Sequence, residues 1–157
     1  MNLFDAIKQA VNDLNSTAQV LLLTDVRAEA EELNHEGDVI VLKPDWTVQN
    51  QFNQAFSLVS KAIYNIDFKT SDEFDNSDNS SEASKIYDKN SVDKIADMAI
   101  LASSVFAHIS RNEIYPLTTP VKWSTEPILR AGNGTMTGVR VRATVSFEGR
   151  LVCNFSK

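Results

Sequence analysis

Between residues 135 and 147 the side chains alternate, with Met136, Val139, Val141, Ala143, Val145 and Phe147 set against Arg140, Arg142, Thr144 and Ser146. A strand that buries one face and wets the other has this pattern, because successive side chains leave a pleated chain on opposite sides. The phase slips at Gly138, which predicts a bulge there. Residues 121–129 alternate as well, and Gly132-Asn133-Gly134 separates the two runs. Glycine and asparagine supply the positive φ angles that tight hairpins require, so the two runs are expected to pair as an antiparallel hairpin. A chain with this ending is committed to a sheet with one covered face.

The same glycines do not suit a phosphate loop. A dinucleotide fingerprint needs its third glycine or alanine at position 137, which is Thr137, and must open into a helix whose N-terminus faces the anion. Here a strand pattern follows. The Gly-Lys-Ser/Thr of a P-loop is absent.

Upstream, Leu3, Phe4, Ile7, Val11 and Leu14 fall at helical spacing, predicting an amphipathic helix over residues 2–15 that Ser16-Thr17 breaks. Residues 19–24 and 39–42 read as short buried strands, with a helix over 28–34 between them. From Gln51 to Phe68 a period-two pattern predicts one long half-buried strand, bent near Ser60-Lys61. A helix over residues 49–61 would expose the same polar side chains, and periodicity alone leaves that open. Residues 70–84 are polar and acidic and read as a loop. Residues 91–110 form the firm helix, with Ser91 as N-cap and Asp93 in the first turn. Val92, Ile95, Ala99, Phe106 and Ile109 make one side apolar, and Met98, Ile100, Leu101 and Val105 the other. Such a helix is expected to be buried all round, against the sheet and against something further, such as another subunit.

These elements predict one α+β domain over residues 1–157: a mainly antiparallel sheet of about four strands, one long buried helix, and the N-terminal helix packed on it. At 157 residues the chain could bury roughly two-thirds of its extended surface. The longest mainly apolar run, residues 98–109, is too short to span a bilayer, and the acidic start lacks the pattern of a secretory leader. A single cysteine, Cys153, precludes an intramolecular disulfide and fits a reducing compartment.

Charge is distributed unevenly. Residues 1–66 carry nine acids and four bases, and residues 67–97 repeat that ratio. Residues 111–157 reverse it, with seven bases and three acids, inside a net charge of −6. The overall sign argues against a general nucleic-acid binder. The asymmetry would suit head-to-tail contacts between identical subunits.

Sites for chemistry are few. An EF-hand counted from Asp72 would put Phe74 at a ligand position and Ser77 where glycine is needed. His35 and His108 are far apart with no metal-binding spacing, and His108 reads as a packed or capped side chain. Cys153 has no flanking nucleophile signature. No catalytic, metal or cofactor residues are therefore assigned. Pro127 places residues 121–129 at a sheet edge or bend, where a neighbouring subunit can pair. Trp123 on that strand and Arg130 just after it, with Arg140 and Arg142 on the polar face of the last one, are the candidate subunit-interface residues.

The order helix, strands, acidic loop, long helix and two C-terminal strands, with the ending GTMTGVRVRATVSF and Cys153 beyond it, resembles small structural proteins of tailed bacteriophages. The likeness is to the tail-terminator and head–tail joining type. That resemblance implies helices against an antiparallel sheet, assembly as a homo-oligomeric ring, and contacts with neighbouring neck or tail proteins. It implies a non-enzymatic virion component made in the host cytoplasm, while the net charge and the lack of a long apolar run predict no sequence-specific nucleic-acid binding and no membrane contact. Residues 16–48 are less regular than a simple terminator needs and suggest a docking segment. The alternative is a soluble adaptor or assembly chaperone for a charged protein partner.

Overall fold

The computed structural model describes residues 3–22, 37–43, 47–71, 89–111, 117–131 and 136–148. Their elements, in chain order, are α1 (Leu3–Asp13), β1 (Gln19–Leu22), β2 (Asp38–Leu42), β3 (Thr47–Phe52), β4 (Leu58–Ser71), α2 (Lys89–Arg111), β5 (Lys122–Ala131) and β6 (Met136–Glu148). The fold is α+β, as its pattern predicts. The sheet is larger than the four strands expected and is mixed: six strands in the order β1-β2-β4-β6-β5, with β3 also on β4. β1 and β2 run parallel, and every other pair is antiparallel. Both strands expected in the irregular stretch 16–48 lie in the sheet, while the helix expected over 28–34 and the glycines at 132 and 134 lie outside the described residues.

β4 organises the sheet. One of its edges carries the full length of β6, from Val59↔Glu148 to Ser71↔Met136. The other edge is shared end to end by β2, opposite residues 66–70, and β3, opposite residues 58–63. The even-numbered residues Ala62, Ile66 and Phe68 face the helices with Ile40, Leu42, Val139, Val141, Ala143 and Val145. Phe68 meets Phe106 of α2 edge to face, with ring centroids 5.8 Å apart, a geometry that adds about 1 kcal/mol to the burial itself.

α1 ends in a Schellman motif. Asn15 adopts φ 56°, Ser16 N–H donates to Val11 C=O at 3.0 Å, and Asn15 N–H donates to Asn12 C=O at 3.1 Å. Asparagine tolerates this left-handed conformation better than most residues, which is why the helix stops where Ser16-Thr17 was expected to break it. α2 begins at Lys89, two residues before its expected start, so Ser91 is a buried residue of the first turn rather than an N-cap. Nor is α2 buried all round. Met98, Ala102, Val105, Phe106 and Ile109 are covered, whereas Val92 and Ile100 are exposed.

Three further expectations are corrected. Residues 51–68 do not form one bent strand: the chain reverses over residues 53–57 and separates β3 from β4. Asn53 makes that reversal, accepting on its Oδ1 from the N–H groups of Ala55 and Ser57, both at 2.9 Å, as turn-forming asparagines do. Thr70 and Ser71 belong to β4, not to a loop, and residues 72–84 lie outside the described residues. Gly138 is not bulged. It keeps register with Lys69 and Ile128, and the irregularity lies on β5 between Ile128 and Ala131. Met136 is out of phase because it belongs to the opposite face, packed with Val39 and Val41. Gly138 is required for a different reason: a Cβ there would come within 1.9 Å of Phe68 C=O on β4.

Candidate subunit interface

The sheet face opposite the one that packs α1 and α2 holds the odd residues of β4 and the even residues of β6 and β5. Among its described side chains are Lys43, Lys61, Lys69, Lys122, Arg140 and Arg142, against Asp67 and Glu126. The charge reversal along the sequence thus becomes a cationic sheet face. Three of its lysines, Lys43, Lys61 and Lys69, come from the acidic two-thirds of the chain, so the face is assembled by strand register and not by the C-terminal segment alone.

At its centre, Asp67 is fully buried. Arg140 donates to it from Nε at 3.1 Å and from Nη2 at 3.5 Å. Lys43 Nζ lies 3.1 Å and Lys69 Nζ 3.7 Å from its Oδ2. Cationic donors on both oxygens offset the cost of burying a carboxylate. Lys69 is itself buried, and desolvation, helped by the nearby Arg140 charge, pulls its pKa down to about 8. Two small hydrophobic residues, Val39 and Val41, border the cluster from β2 opposite Lys69 and Asp67.

The four candidate residues do not form one patch. Arg140 and Arg142 share the cationic face, where Arg142 is exposed and sits between Asn65 of β4 and Ser124 of β5. Arg140 is 46% exposed but is committed to Asp67, so it orders the face as well as charging it. Trp123 lies on the helix-covered side, its ring 5.2 Å from Phe106 and still 39% exposed. Arg130 falls within β5, whose place at the end of the sheet order agrees with the edge position that Pro127 predicts.

His108 is half-buried and its Nε2 lies 2.9 Å from Asp13 Oδ2, tying α2 to the end of α1 as a packed side chain would. Among the described residues no group of three or more His, Cys, Asp or Glu side chains is placed to hold a metal ion. No described helix is long and apolar enough to cross a membrane.

Sequence reasoning missed two features. The Asp67 cluster needs the pairing of β2, β4 and β6, which local periodicity does not reveal. The other is the β3–β4 hairpin, whose Phe52 and Phe56 continue the period-two apolar pattern of the strand expected over residues 51–68. Both are exposed, by 64% and 82%. Asn53 between them was the available turn signal.

No family model matches the sequence, and no curated protein matches it.

Proposed function

We propose that the chain is a non-enzymatic structural subunit of a tailed-phage virion, forming a homo-oligomeric ring that caps or joins the tail or neck to the head. The observation that carries this reading is a cationic sheet face reaching an edge strand, β5, that has a single strand neighbour among the described residues. An open sheet with such an edge offers backbone donors and acceptors to a neighbouring chain. The face beside it offers charge that steers approach and sets orientation. The resemblance of element order and ending to tail-terminator and head–tail joining proteins supplies the setting.

The mechanism is geometric. Each subunit presents acidic surface to the next subunit's cationic face, with Arg142 beside β5 on that face and Trp123 of β5 on the opposite one. A repeated head-to-tail contact closes a ring when its rotation divides a full turn. Cation chemistry alone would also suit an adaptor that binds an acidic protein as a monomer, and that is the second reading.

Two measurements test the proposal together. Antibody labelling of purified particles is expected to place the chain at the neck or tail. Native mass measurement of wild-type protein and Arg142→Glu, at low salt, is expected to show a closed oligomer that the substitution weakens. A chain absent from particles and monomeric throughout, yet captured by an acidic protein, would select the adaptor reading.

A further inference from the structure

β3 is exposed at all six positions and carries no charge: Thr47, Val48, Gln49, Asn50, Gln51 and Phe52. Among the described residues its one strand neighbour is β4, so its outer edge is open. Folded proteins usually guard such an edge with lysine, proline, a bulge or shortness. The other edges here carry such features, and on β5 the charges restrict pairing to a charge-complementary neighbour. β5 carries Lys122, Glu126, Pro127 and an irregular register near its end, and β1 is four residues long. β3 has none of these protections.

The adjoining turn adds an independent sign. Phe56 holds φ 59°, in the left-handed region, although its aromatic ring is 82% exposed. Glycine or asparagine would fill that position without strain. A side chain that is both strained and solvent-facing gains little packing in the isolated fold, which points to a contact outside it.

We propose that two copies of this chain pair β3 to β3 in antiparallel fashion, about a two-fold axis through Asn50. In an antiparallel pair directly opposed residues must share a face. Centred on Asn50, that register sets Val48 against Phe52 of the second copy on one face, with Asn50 against Asn50 between the two such pairs. On the other face it sets Gln49 against Gln51. Aromatic–β-branched pairs and amide ladders are favourable cross-strand partners, and no like charges meet, although each copy carries a net charge of −6. The pairing is isologous and closes on itself, so it is separate from the head-to-tail contacts of the ring and does not depend on them. A six-residue ladder is small, so the association is weak and concentration-dependent.

The test is register-specific disulfide trapping in a Cys153→Ser background. Opposed strand residues lie within disulfide reach, whereas residues displaced diagonally do not. Asn50→Cys is expected to give a covalent dimer on mild oxidation. Gln49→Cys alone and Gln51→Cys alone are expected to stay monomeric, and an equimolar mixture of those two to give a mixed dimer. Asn50 Oδ1 accepts from the buried Ser60 Oγ at 2.5 Å, so the mixture keeps the test valid if Asn50→Cys folds poorly. Val48→Lys, which places two like charges in the new ladder, is expected to abolish the concentration-dependent rise in scattering mass. Failure of both Asn50→Cys and the mixture to cross-link overturns the proposal, as does equal cross-linking by every variant. If cross-linking fails while the hairpin pulls down a different protein, the occupant of the edge is that protein. Arg142→Glu leaves the cross-linking pattern unchanged, which separates this pairing from the ring.

Discussion

Arg140 on β6 reaches across the sheet to Asp67 on β4, its Nε 3.1 Å from a carboxylate whose side chain is 1% exposed. The two positions are directly paired in register, so the contact is a consequence of strand alignment. The pair is unequal. Asp67 is enclosed, while Arg140 keeps nearly half its side chain in water.

That inequality predicts unequal losses. Asp67→Ala strands Lys43, Lys69 and Arg140 around a missing counter-charge and is expected to cost about 3–5 kcal/mol. Arg140→Ala leaves two cations on the carboxylate and is expected to cost about 1 kcal/mol. Denaturant unfolding of both variants measures the difference, and equal losses would show that Arg140 alone sustains the buried charge.

Lys69 makes stability depend on alkaline pH. Its folded pKa, about 8, lies below its ordinary value of 10.5, so the unfolded chain binds the extra proton between those values. Stability is therefore expected to rise as pH increases from about 8 to 10.5. Lys69→Met is expected to remove that component of the rise while leaving Lys43 and Arg140 on Asp67. Unfolding midpoints across this window provide the check.

At the acid end, Asp13 matters. Hydrogen bonds from His108 and then Gln9 hold its pKa below the ordinary 3.8. A depressed carboxylate contributes stability above its unfolded pKa and loses it as pH falls through the lower folded value. The Asp13 carboxyl is expected to titrate below 3.8 by NMR, and His108→Ala to return it toward that value.

The strained turn can be relieved. Phe56→Gly removes the positive-φ penalty, and little packing is lost because the ring is 82% exposed. The variant is expected to gain about 1 kcal/mol in the monomer. A loss instead would mean that the ring supports the hairpin itself.

Gly138→Ala is expected to cost about 3 kcal/mol or more, because its methyl group must displace the β4 backbone at Phe68. Urea unfolding of this variant, set beside the milder Gly37→Ala, separates steric overlap from positive φ. Gly37 has φ 88° but open space around its Cβ position.

What the sequence made legible follows from how far each signal reaches. The α1 stripe, the alternation of β6 and the edge position of β5 are local, and each is found in the structure. Met136 misled because the strand has apolar partners on both faces at that end, so a single-face reading mistook a change of face for a bulge. Phe52 and Phe56 misled because apolar residues at period two also describe two strands folded back at a turn. The cationic face was hinted at by the basic C-terminal third. Its acidic centre at Asp67 comes from pairing residues far apart in the chain, which composition and periodicity do not encode.

The ladder between β4 and β6 has a kinetic consequence. Its nearest pair, Ser71↔Met136, joins positions more than sixty residues apart, with α2 and β5 between them. The entropy of closing that span is lost before any pair in the ladder forms. The β3–β4 hairpin, α1 and the β5–β6 hairpin can each form from near neighbours, so the expected order of folding is local pieces first and the central ladder last. Until the ladder closes, both long strands expose apolar edges, and the chain is most open to wrong partners in that interval.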